Sequence, residues 1–182
     1  MKRAILSAVL ALSASAVCLS SSPSPAAERD RQFFQSVEGT WTGPGEIIAG
    51  KYKGTKFVCN FAGTTPAEDL GMTLDGSCRV GVFSQKMTAT VKQGGPSGYK
   101  GRFMDGAEGT GLDIISGNVV DDSKVVFGIN RKQLRGIMQA RLPDDQTMTV
   151  TVSVRVDKSM VQVIGMNLKR VDGGAVGAIA KQ

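Results

Sequence analysis

The sequence predicts an all-β fold: an up-and-down antiparallel β-barrel of about eight to ten strands with a short N-terminal helix. Three observations carry that expectation. From Met148 to Val156 every even position is apolar and every odd one is Thr, Ser or Arg, the period-two signature of a strand with one wet face. The same alternation recurs more weakly along the chain, broken by short turn clusters that join neighbours in a meander. One segment alone, Glu28 to Ser36, has a helical look. A succession of hairpin strands leaves raw edges, and closing the sheet on itself removes them. A two-sheet sandwich is the competing layout.

Residues 1–27 read as a secretory signal peptide. Met1-Lys2-Arg3 supplies a charged start, Ala4 to Leu19 holds only small and apolar residues, and Ser24 with Ala26 or Ala27 offers a cleavage site just before Glu28. The polar run Ser20 to Pro25 follows without a positive flank, which argues against a retained anchor. Lipidation at Cys18 is disfavoured, because Val17 is bulkier than the residue a lipobox places there. Residues 28–182 are then a single domain, enough for one core, exported to the periplasm or secreted, with no further stretch of membrane-spanning length.

Within that domain the helix Glu28–Ser36 carries Phe33 and Phe34 as its apolar patch, and the first strand begins at the glycines around Trp41. Strands follow at Lys56–Phe61, Lys86–Lys92, Tyr99–Phe103, Leu112–Val119, Lys124–Asn130, Leu134–Leu142, Met148–Val156 and Met160–Val171. Turns fall at Gly94–Gly98, Asp105-Gly106, Asp121–Ser123, Pro143–Asp145 and Asp157–Ser159. Once Cys18 is removed, Cys59 and Cys78 form an even pair in an oxidising compartment and read as one disulfide. It adds on the order of 3 kcal/mol to a fold that already has a core.

Gly39-Thr40-Trp41, preceded by a helical turn and followed by a meander, resembles the head of the calycin superfamily: lipocalins, fatty-acid-binding proteins, avidin-like proteins and the Inh-type bacterial protease inhibitors. The resemblance implies that Trp41 plugs one end of the barrel beneath a basic side chain from the last strand. Met160, Ile164, Met166, Leu168 and Arg170 share one parity, so Arg170 is that residue, in a cation–π contact worth about 1 kcal/mol or more. The lipocalin Thr-Asp-Tyr motif has no counterpart; the nearest segment, Asp121-Asp122-Ser123, lacks the aromatic. The likeness is one of architecture.

The chain contains no histidine, which removes the usual general base and the commonest metal and haem ligand. Carboxylates gather only in turns, as at Asp121-Asp122 and Asp144-Asp145, where solvated turn acids are the simplest account. The glycines of 106–111, "GAEGTG", lack the lysine and helix of a phosphate loop. No catalytic set, cofactor or metal site is therefore expected. Basic residues cluster at Lys51, Lys53 and Lys56, and again at Arg131, Lys132, Arg135 and Arg141. They would suit an acidic partner such as lipopolysaccharide, an anionic glycan or a polar head group, while a solvated barrel exterior is the simpler account. Few aromatics interleave with them, so nucleic acid is not an expected partner.

Seven methionines of the domain, from Met72 to Met166, either fill the barrel or line an adaptable lumen. Two function classes follow. The first is a non-enzymatic binding protein for a small apolar or amphipathic ligand, with Phe57, Phe61, Phe103 and Phe127 lining the lumen. The second is an Inh-like module for an envelope protein partner, in which Glu28 to Ser36 reaches into a protease cleft.

Overall fold

The computed structural model describes residues 24–104 and 111–171. The signal segment, Cys18 and the Asp105-Gly106 turn lie wholly or largely outside the described residues. Helix α1 (Pro25–Ser36) is followed by strands β1 (Gly39–Ile47), β2 (Lys56–Thr64), β3 (Gly71–Val80), β4 (Phe83–Gln93) and β5 (Tyr99–Met104). The second half holds β6 (Leu112–Asp121), β7 (Lys124–Arg131), β8 (Leu134–Asp144), β9 (Thr147–Val156) and β10 (Ser159–Val171). Each strand pairs antiparallel with its neighbour in sequence, and β1 pairs with β10 to close the barrel. The fold is an up-and-down barrel of ten strands, as the alternation required.

Helix α1 begins three residues before the expected Glu28, because Ser24 caps it: its Oγ accepts from the Ala27 N–H at 3.3 Å, and Pro25 occupies the first turn. The expected domain boundary thus falls inside the helix. Its buried side chains are Phe33 and Phe34. Strand β3 has no counterpart in the sequence expectation. Its inward positions Met72, Leu74, Gly76 and Cys78 do alternate, but Gly76 is too small to register as part of an apolar stripe.

Along β9 the buried residues are Met148, Val150 and Val152, with Thr149, Thr151 and Ser153 between them. The core is one cluster inside the barrel, and among the described residues no polar side chain is fully buried in it. The disulfide Cys59–Cys78 joins directly opposed residues of β2 and β3, with Cα atoms 4.0 Å apart. Both cysteines are buried, so the bridge lies within the lumen.

The shared parity along the last strand fails at one end. The β9–β10 register shifts between Gln162 and Ile164, and this bulge inserts one residue. Ile164, Met166, Leu168 and Arg170 keep the inward face, whereas Met160 turns out and is exposed.

Candidate functional site

One end of the barrel, here the near end, is sealed by α1 and the first turn of β1. Trp41 is fully buried and its indole N–H donates to the Val37 carbonyl at 2.8 Å. In register opposite it stands Arg170, whose guanidinium carbon lies 4.3 Å from the ring centre. The same guanidinium donates to the backbone carbonyls of Ser36 at 2.7 Å, of Glu38, and of Asp145 at 2.7 Å. One side chain therefore covers the indole and ties the end of α1 to the β8–β9 turn. Gly39 lies against it with φ of 102°, and a Cβ there would fall 2.8 Å from the guanidinium. Glycine is needed on both counts.

The helix is held on its other side as well. Phe34 meets Tyr99 edge to face at 4.8 Å, the Tyr99 hydroxyl donates to Asp30 at 2.7 Å, and Arg29 donates to the Val119 carbonyl at 3.0 Å. Burial, and then the hydrogen bond to the Asp30 carboxylate, hold the Tyr99 hydroxyl well above the ordinary tyrosine range.

Beneath this cork lies a cavity of about 90 Å³ lined entirely by apolar side chains. Phe33 and Val37 form part of its wall from the helix end. Phe61, Phe103 and Phe127 border it, as do Met72, Met87, Met138, Met148 and Met166. Phe57, expected with the other phenylalanines, does not line it. It faces inward, but it sits nearer the far end of β2, and its ring fills the space where a side chain at Gly45 would stand, beside Met166. Parity fixes which face a residue takes and says nothing of its depth along the barrel axis. The contribution of Phe33 was hidden for the opposite reason, since a helical residue carries no strand parity at all.

The turn carboxylates behave as turn acids. Asp121 accepts from the Ser123 N–H and hydroxyl, both at 2.9 Å, and Asp144 from the Gln146 N–H at 2.9 Å. Those backbone donors hold both carboxyls below their usual range. Among the described residues no group of three or more His, Cys, Asp or Glu is placed to hold a metal ion, and no helix is long and apolar enough to cross a membrane. No protein-family model matches the sequence, and no curated protein matches it.

Proposed function

We propose that this chain is an exported, calycin-like binding barrel that takes a slender apolar group into its methionine-lined lumen. The observation that carries the reading is the all-apolar cavity walled by five methionines. Its volume is well below the roughly 300 Å³ at which ordinary ligand pockets begin, so a ligand enters by displacing side chains. Methionine suits that purpose, being unbranched, polarizable and free to change rotamer at low cost. A short alkyl segment fits this description better than a ring system. The calycin affinity rests on Trp41 beneath Arg170 at the near end of a meander barrel. It needs no catalytic group and no cofactor.

The Inh-like alternative has less support. The segment it would send into a protease cleft, Glu28 to Ser36, buries Phe33 and Phe34 against its own barrel and is tied there through Asp30 and Arg29.

The test is native mass spectrometry of the protein from its own cell, followed by titration with a homologous series of alkanoic acids. A co-purifying apolar mass is expected, together with affinity that rises with chain length. Filling the cavity with Ala89→Leu and Ala140→Leu should abolish both while shifting stability by less than about 2 kcal/mol. Bare protein in repeated preparations, with no alkanoic acid bound, would end the ligand reading.

A further inference from the structure

The end of the barrel away from α1 combines greasy tips with a ring of cations. Four described connections meet there. The 48–55 connection carries Lys51, Tyr52 and Lys53, and the β3–β4 turn sets Val82 and Phe83 between Arg79 and Lys86. The β7–β8 turn sets Leu134 between Lys132 and Arg135, and the β9–β10 turn sets Val156 between Arg155 and Lys158. Each repeats one composition: an apolar side chain flanked by two positive charges. Val82 is 89% exposed, Phe83 79% and Tyr52 63%. Across residues 48–55, 79–86, 131–135 and 155–160 the single carboxylate is Asp157.

These cations are not consumed within the fold. Arg29 pairs with Asp30 and Arg102 with Asp113, and among the described residues Lys51, Lys53, Arg79, Lys86, Lys132, Arg135, Arg155 and Lys158 take part in no ion pair. Lys51 instead lies over the Tyr52 ring at 5.5 Å. Three of the four turns at the near end have the opposite character, with Glu68 and Asp69, Asp121 and Asp122, Asp144 and Asp145, while the fourth, 94–98, is uncharged and lies between Lys92 and Lys100. The molecule is therefore electrically polar along its axis.

Exposed valine and phenylalanine at hairpin tips mark a surface that meets something apolar, and the positive charge around them says that the partner is also anionic. A second copy docked far end to far end would bring like charges together, and the acidic near end, Val120 aside, offers Val82 and Phe83 no exposed large apolar side chains among the described residues. A protein partner would need a separate socket for each of four spaced tips, whereas a bilayer accepts apolar tips at any spacing. The barrel wall limits how deep it can go. Thr149, Thr151 and Ser153 on β9 alternate with lumen residues, the inverse of a membrane-spanning barrel with its apolar exterior.

We propose that the far end docks on an anionic lipid bilayer, with Val82 and Phe83 in the interfacial region and the flanking lysines and arginines at the head-group phosphates. This surface is separate from the lumen, and the proposal stands whether or not a ligand binds there.

Vesicle co-sedimentation tests it, with protein purified from its own cell and the same N terminus in every variant. Phosphatidylcholine vesicles containing phosphatidylglycerol should bind the protein, and pure phosphatidylcholine vesicles should not. Raising salt should release it, as the screening length drops from about 10 Å at 0.1 M to about 3 Å at 1 M. Each far-end cation removed, beginning with Lys51→Gln and Lys53→Gln, should weaken binding about fivefold. Val82→Ser with Phe83→Ser should weaken it on the order of tenfold, with the thermal unfolding midpoint unchanged. Lys92→Gln with Lys100→Gln, exposed near the other end, should change nothing. Equal binding to neutral vesicles, equal losses from the two sets of lysine variants, or self-association through Val82 and Phe83 without vesicle binding would each overturn the proposal.

Discussion

The two ends of this barrel solve different physical problems. At the near end a helix, an indole and a guanidinium close over the core, and polar groups find partners within the chain. Arg170 alone satisfies three backbone carbonyls. At the far end Val82, Phe83 and Tyr52 stand exposed at hairpin tips among lysines and arginines. The near end is built for cohesion and the far end for contact. Substitutions at the first should therefore register as stability and those at the second as binding.

The largest test of that division is Trp41→Ala. Removing a fully buried indole should cost about 3–5 kcal/mol in urea unfolding, because the barrel cannot collapse around the void without breaking the β1–β10 seam. A cost under 1 kcal/mol would mean that the plug is decorative and the division false. Next comes Arg170→Met, which keeps the apolar stem but loses the cation–π contact and three donors. The expected loss is about 2 kcal/mol, and Arg170→Lys should recover little of it, since one ammonium cannot fork to carbonyls on both sides.

The smallest effect is expected from Tyr99→Phe, at about 1 kcal/mol, and it carries a pH signature. The Tyr99 hydroxyl titrates higher in the folded chain than its ordinary value of 10.0. Its contribution is therefore whole below pH 10 and declines as the pH rises toward the folded value. Wild-type stability should fall on that alkaline limb and the Phe variant should fall less. Parallel limbs would show that Tyr99 does not help to hold α1 down.

Much of the near end was legible in the sequence. Period-two alternation around β9 fixed which side chains face in, and the calycin resemblance, with the parity of β10, pointed to Arg170 as the side chain over Trp41. Cys59 and Cys78 pair across opposed strands as their even count suggested. What escaped was whatever parity cannot encode. The bulge near Val163 reverses the direction of Met160. The depth of Phe57 depends on where β2 sits along the axis, and Phe33 enters the cavity wall from a helix. The far-end pattern was partly visible as two basic clusters, but their convergence with Val82 and Phe83 depends on four hairpins ending at the same rim.

The seam of the cylinder has a temporal consequence. Its closing pair, Trp41 and Arg170, lies near opposite ends of the described chain, so a polypeptide emerging from a ribosome or a translocation pore cannot complete its interior until the last strand has emerged. Such long-range closure is slow and leaves partial sheets exposed meanwhile. The topology thus postpones closure of the cylinder until β10 is available to pair with β1.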